Sequence, residues 1–336
     1  MKKFVITILV FVAIPLFLLV GIYLWTDPFR CLHKFDIQDI DAVNREYLST
    51  ELFLRNNSTY HYNSFIFASS RGMALNTYQW KQYLPDGSQP FLFQAWSETV
   101  TGIELKLDYM QEHHIPIDNV LILIDIPGTF DKKQLSTGAM TIKHYVFTGE
   151  PKWMYNAVQF YNFIQSPSLV FRYMKKAIRK DKEVFFSDTI SNDFDNTNYL
   201  AYRECPPQDS LNYCSALTRG SFIEKVEHMR LKEVVVSDPL ITPRLEQQLI
   251  HIRAILDANQ TDYHIIVSPA YCYTNPSLNP DDLEILNRIF GAERVHDYTG
   301  ENEWTIDYNN FLDPNHFGKC IGYRIIEDIY KRDNEN

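Results

Sequence analysis

The chain has 336 residues, 45% of them hydrophobic, with a formal net charge of −10. That length suits one large domain carrying an insertion, or two smaller ones. The acidic balance argues against a nucleic-acid partner, which needs a basic face; the one basic run, Lys175 to Lys182, reads as the solvated end of a helix.

Lys2 and Lys3 precede an uncharged stretch from Phe4 to Trp25, which is 22 residues long. As a helix rising about 1.5 Å per residue it spans about 33 Å, enough for a bilayer core. Pro15 and Gly21 are tolerable in a membrane helix. No small-x-small cleavage site follows it, so an anchor is expected rather than a removed signal segment, which stands as the alternative. Tyr23 and Trp25 suit the outer interface, and the two lysines favour a cytoplasmic amino end, although Arg30, His33 and Lys34 lie beyond the stretch. The expected organisation is a single-pass anchor over residues 1–26. An extracytoplasmic α/β domain follows over residues 27–336, interrupted by an insertion at about 130–240.

Residues 27–60 read as polar and mixed, with Asn56-Asn57-Ser58-Thr59 as a loop that contains formal glycosylation sequons. Phe65-Ile66-Phe67-Ala68 then reads as a buried strand running into Ser69-Ser70-Arg71-Gly72. A helix is expected over Met73 to Tyr83, ended by the turn Pro85-Asp86-Gly87. Pro90 to Ala95 is a short apolar run. Ser97 can cap a helix from about Glu98 to His113. Val120 to Ile124 is five consecutive aliphatics ending at Asp125, the pattern of a parallel strand covered on both faces. Strand, helix, strand, helix, strand is the signature of a parallel α/β sheet. In such sheets ligands sit at the carboxyl ends of the strands, where Ser70, Ala95-Trp96 and Asp125 all fall.

The regular pattern breaks from Pro127 to about Val236. That stretch reads as a mostly helical and irregular cap, with helices over Trp153 to Phe163 and Leu169 to Lys180. It resumes with a helix from Pro243 to Asn259, a strand from Asp262 to Ser268, a helix from Pro280 to Phe290, a short strand from Arg294 to Tyr298, and a last helix from about Phe317 to Lys331. The five cysteines (Cys31, Cys205, Cys214, Cys272, Cys320) are an odd number and give no complete disulfide framework. Cys205 and Cys214 can close a short loop in an oxidising compartment. No Cys/His set has zinc spacing and no glycine-rich phosphate loop follows a strand, so neither a metal nor a cofactor is expected.

A serine becomes nucleophilic when a histidine takes its proton and a carboxylate orients that histidine. Asp313 and His316 are three residues apart ahead of the last helix, and a turn entering a helix puts such residues on one side. Ser70, at a strand end, can supply the third group; Ser69 is the weaker alternative. His113, His114, His251, His264 and His296 read as structural or exposed. Trp96, Trp153 and Tyr271 read first as packing and second as lining for a sugar site.

Strand–(Ala68-Ser69-Ser70)–helix together with Asp313-Pro314-Asn315-His316 resembles the SGNH/GDSL hydrolase superfamily. It is most similar to the membrane-anchored extracytoplasmic branch that includes alginate O-acetyltransferase-like and D-alanine transfer proteins. The resemblance covers about residues 60–130 and 260–330. It implies a three-layer, flavodoxin-like parallel sheet with helices on both faces. Ser70 matches the nucleophile, His316 the general base and Asp313 its orienter. The implied activity is that of a serine esterase or O-acyltransferase acting through an acyl-enzyme on a cell-envelope or extracellular glycan, or on an acylated small molecule. A multi-pass acyl-exporting membrane protein is the implied partner. Two departures stand out. No Gly occupies the second block near Ala95-Trp96-Ser97, where a backbone N–H can still serve, and Asp125 stands where the third-block Asn is expected. Arg71 is the partner expected for that carboxylate. The departures motivate the alternative of a non-catalytic envelope protein that keeps the fold and binds a glycan or protein.

Overall fold

The computed structural model describes residues 2–29, 31–33, 44–168, 170–171 and 233–335. Cys205, Cys214 and most of the helix expected over Leu169 to Lys180 lie outside the described residues. The first element is helix α1 (Lys2–Thr26), long and apolar enough to cross a membrane.

Helix α2 (Arg45–Tyr60) follows, capped by the Asn44 side chain on the Tyr47 N–H. It replaces the loop expected at Asn56 to Thr59. The sequence disguises it because polar residues occupy its buried side. Ser49 and Thr50 are buried yet bonded, Ser49 to the Gln94 carbonyl at 3.1 Å and Thr50 to the Glu46 carbonyl at 2.7 Å.

Strand β1 (Ser64–Ala68) ends in a 3-10 turn (Ser70–Ala74), and the short helix α3 (Thr77–Lys81) comes next. The single helix expected over Met73 to Tyr83 is therefore broken, because Asn76 caps α3 with bonds to the N–H groups of Tyr78 and Gln79. Then come β2 (Pro90–Gln94), α4 (Val100–Glu112) and β3 (Asn119–Ile124). Thr99, not Ser97, caps α4 by accepting from the Gly102 N–H. Helices α5 (Tyr145–Thr148) and α6 (Lys152–Ile164) belong to the expected insertion. The α/β pattern returns with α7 (Pro243–Ala258), β4 (Asp262–Val267), α8 (Pro280–Phe290) and β5 (Val295–Asp297). A two-stranded hairpin, β6 (Phe311–Asp313) and β7 (His316–Phe317), precedes the last helix, α9 (Lys319–Glu335).

The five strands β1–β5 form one parallel sheet in the order β2-β1-β3-β4-β5. This is the doubly wound, flavodoxin-like order. Alternate residues along each strand point to opposite faces, and both faces are covered. Phe65, Phe67, Phe93, Ile122 and Ile265 meet helices α2, α4, α7 and α8 on one side. Ile66, Leu92, Leu121, Leu123 and Ile266 meet α3 and α9 on the other. The register pairs Phe65 with Phe91 and Phe67 with Phe93, and the Phe67 and Phe93 rings stack with centroids 5.7 Å apart. Burying each such ring contributes about 1.5–3 kcal/mol. The same register aligns the carboxyl ends of the strands, and the residues that follow them share one edge.

Two buried histidines join β4 to β5, His264 Nδ1 lying 3.0 Å from His296 Nε2. Burial disfavours the imidazolium of His264 and pushes its pKa down to about 4, with Asp262 opposing and Arg294 assisting. The folded value lies below the unfolded one, so the associated stability is complete above about pH 6.5 and is lost as pH falls toward the folded value. Thermal unfolding followed across that window is expected to show a loss of up to about 3 kcal/mol. His264→Leu should flatten the profile; an unchanged slope in that variant would show that other groups set it.

Candidate active site

Ser69 and Ser70 leave β1 with different tasks. Ser69 is buried and caps the 3-10 turn, its Oγ accepting from the Arg71 N–H at 3.2 Å. Its hydroxyl donates to Asp125 Oδ2. Its one hydroxyl proton is thus committed to Asp125. Ser70, the next residue, is half-buried and turns its Oγ to His316 Nε2 at 2.8 Å. Its N–H stands at the first position of the turn, where no partner exists within the helix.

His316 and Asp313 come from the tight β6–β7 hairpin, with Pro314 and Asn315 at its tip. The expected turn into a helix is instead a turn between two short strands, and α9 begins after it. Asp313 Oδ1 accepts the N–H groups of Asn315 at 2.8 Å and His316 at 3.0 Å, the local bonding that makes Asp a turn former. The same carboxylate meets His316 Nδ1 at 2.7 Å through Oδ2 and 2.9 Å through Oδ1. Burial raises the Asp313 carboxyl, but the His316 side chain and these two N–H groups outweigh it and hold the carboxyl below the usual range. An ionised carboxylate only accepts, so Nδ1 carries the ring proton of the neutral imidazole. Nε2 is then the acceptor facing the Ser70 hydroxyl. The His316 and Asp313 side chains are 25% and 33% exposed, so the group opens to solvent.

Close packing holds the two halves together. A Cβ on Gly72 would come within 2.3 Å of Ala68 Cβ, and one on Gly322 within 1.9 Å of the Ala74 carbonyl oxygen. The absence of side chains lets the turn fold against β1 and lets α9 press against the turn. Gln79 donates to the Tyr323 carbonyl at 2.8 Å and Trp80 to the Tyr330 hydroxyl at 2.6 Å, which ties α3 to α9. On the other side, the Tyr271 N–H and the Asn275 side chain both donate to the Pro314 carbonyl, at 3.0 and 2.8 Å.

Beneath the serines, Arg71 is buried between two groups. Its Nε lies 3.6 Å from Asp125 Oδ1 and its Nη1 donates to Ser268 Oγ at 2.9 Å. The pairing of Arg71 with Asp125 read from the sequence is present. Ser268, which follows β4 much as Ser69 follows β1, was not singled out in the sequence; its position directly after an apolar strand was the available signal. Ala95 and Trp96 reach the same sheet edge, but the Ala95 N–H donates to the Ala68 carbonyl at 3.0 Å and so continues the β1–β2 ladder rather than facing the site. Trp96 is half-buried with the Arg45 guanidinium 5.9 Å from its ring centroid.

A cleft of about 640 Å³ adjoins the hairpin. Its walls include Pro127 after β3, Tyr271 and Tyr273 after β4, and Glu233, Val235 and Asp238. Among the described residues, no three His, Cys, Asp or Glu side chains are grouped so as to hold a metal ion.

No protein-family model matches the chain, and no curated protein matches it.

Proposed function

We propose that the chain is a serine-dependent acyl-transfer enzyme of the SGNH/GDSL kind, an esterase or O-acyltransferase acting on a cell-envelope or extracellular glycan. The observation that carries this reading is the continuous chain from Ser70 Oγ through His316 to Asp313. In this mechanism Ser70 Oγ attacks the acyl carbonyl carbon and its proton passes to His316 Nε2. Asp313 stabilises the imidazolium through Nδ1–H. The Ser70 N–H faces the developing oxyanion; a donor in that role is worth about 10²–10³ in rate. The C–O bond to the leaving alcohol then breaks, and Nε2 returns the proton to that alcohol, leaving an acyl-serine. In the second half water or a sugar hydroxyl, deprotonated by the same nitrogen, attacks the acyl carbon; the bond to Ser70 Oγ breaks and Nε2 returns the proton to that oxygen. Arg71 neutralises Asp125, which otherwise would oppose negative charge at the sheet edge.

The apolar α1 supports an anchored protein, and Lys2 and Lys3 before it favour a main domain outside the cytoplasm, facing envelope polymers. An acyl donor must then be delivered across the membrane, the task of a multi-pass exporting partner. The cleft beside the hairpin, with two tyrosines and two carboxylates, suits a hydroxyl-rich acceptor.

A fluorophosphonate probe added to the native protein should form one adduct, which peptide mapping places on Ser70. Absence of labelling, or an adduct confined to another residue, would remove the proposed nucleophile.

A further inference from the structure

Helix α6 is amphipathic in an unusual sense. Its buried positions, Tyr155, Gln159 and Phe163, follow the four-residue spacing of one helix face. Its outer side is apolar: Trp153 is 69% exposed, Tyr161 62% and Met154 41%. No charged residue occurs from Trp153 to Phe171. A helix facing water ordinarily carries charges on its outer face.

The neighbour of α6 gives this face a meaning. Tyr23, in the last turn of α1, packs its ring 5.1 Å from Phe160 and 5.4 Å from Phe163. Phe29, Cys31, Tyr47 and Tyr155 complete the same cluster. The junction is stiffened by Asp27, whose carboxylate accepts the N–H groups of Cys31, Leu32 and His33 at 2.9, 3.0 and 2.8 Å. The end of α1 is therefore docked on the domain. A 25-residue helix is about 37 Å long and the hydrocarbon core about 30 Å thick. If α1 spans, its last turn stands at headgroup level, and α6 stands there with it. Trp and Tyr are the residues that favour that depth.

We infer that α6 rests in the headgroup region of the bilayer that α1 crosses, with Trp153, Met154 and Tyr161 turned into the lipid. The inference rests on the anchor reading of α1 and is independent of the chemistry proposed for Ser70. It fixes the domain against the membrane at two points, α1 and α6, instead of one.

The test uses the full-length protein in phosphatidylethanolamine/phosphatidylglycerol vesicles whose acyl chains carry bromine either near the headgroup or near the chain end. The emission that Trp153→Phe removes reports on Trp153, and that removed by Trp25→Phe reports on α1. Both components should lose most of their emission to the shallow bromines, and Trp153 little to the deep ones. Quenching of Trp25 without Trp153 would keep the anchor and overturn the inference. Quenching of neither would overturn both. Protection of Trp153 from lipid bromine and from aqueous acrylamide alike would assign this face to another protein surface, and the inference would fall.

Discussion

Ser70→Ala is expected to lower acyl transfer by about 10⁴-fold or more, and His316→Ala by a comparable factor, because neither group acts without the other. The geometry explains the equality. Among the described residues, Ser70 Oγ meets a base only at His316 Nε2, 2.8 Å away. The double variant should be little worse than Ser70→Ala alone, the non-additive behaviour of residues that act as a unit. Asp313→Asn should cost about 10⁴-fold through a different route. An amide in place of the carboxylate no longer requires the proton on Nδ1, so Nε2 ceases to be the acceptor. Ser69→Ala separates the two serines: it removes the turn cap and a partner of Asp125, so it should lower the melting temperature while leaving a measurable rate. Steady-state hydrolysis of a chromogenic acetate ester, with each variant's folding checked by circular dichroism, measures the set. Near-normal turnover by His316→Ala would remove the base from the scheme, and full activity in Ser70→Ala would remove the nucleophile.

Lys106→Met should be strongly destabilising. Lys106 Nζ lies 2.9 Å from Glu46 Oε2 and 2.6 Å from Glu98 Oε2, and Lys143 Nζ lies 2.5 Å from Glu98 Oε1. All four side chains are at most 3% exposed. The Lys106 ammonium also stands 5.9 Å from the Phe93 ring centroid and 5.6 Å from that of Phe147. Removing it leaves two carboxylates with one ammonium in a site closed to water. Breaking such a buried group costs about 3–5 kcal/mol, which corresponds to a fall in melting temperature of roughly 10 °C. Replacing Glu46 by Leu as well should recover part of the loss, because the surplus charge goes with it. A melting temperature unchanged by Lys106→Met would mean that water enters the site.

The pH dependence of this group follows from its charges. Burial pushes the Glu98 carboxyl up, but Lys106 and Lys143 outweigh it and hold it below its usual value. Burial works against the Lys143 ammonium, but Glu46 and Glu98 raise it. The Glu98 contribution is complete above the unfolded carboxylate value and is lost as pH falls through the lower folded value. The Lys143 contribution is complete below the unfolded lysine value and is lost as pH rises through the higher folded one. Between those limits the group contributes evenly.

What could be read in the sequence divides along physical lines. β1, β3 and β4 were legible because strands covered on both faces are continuous apolar runs. α7 and α8 were legible because Thr242-Pro243 and Asn279-Pro280 mark helix starts. α2 was hidden because Glu46, Ser49 and Thr50 lie on the buried side, Ser49 and Thr50 bonded to carbonyls and Glu46 paired through Oε2 with Lys106, which erases the apolar stripe. The group formed by Glu46, Glu98, Lys106 and Lys143 was invisible because Glu46 and Lys143 are distant in sequence from the Glu98–Lys106 pair they join. At the site, residue types and order pointed to Ser70, Asp313 and His316, and these three are brought together. The hairpin that presents Asp313, and the commitment of the Ala95 N–H to the sheet, depend on register, which spacing alone does not specify.

The join between Ser70 and the hairpin spans 246 positions of the chain. A chain synthesised from its amino end delivers Ser70 long before His316 and α9, the helix that packs against Ala74 in the serine turn. Until the hairpin is made, the Ser70 hydroxyl has no histidine beside it. A copy that stalls or is clipped ahead of His316 therefore leaves Ser70 Oγ without its histidine partner.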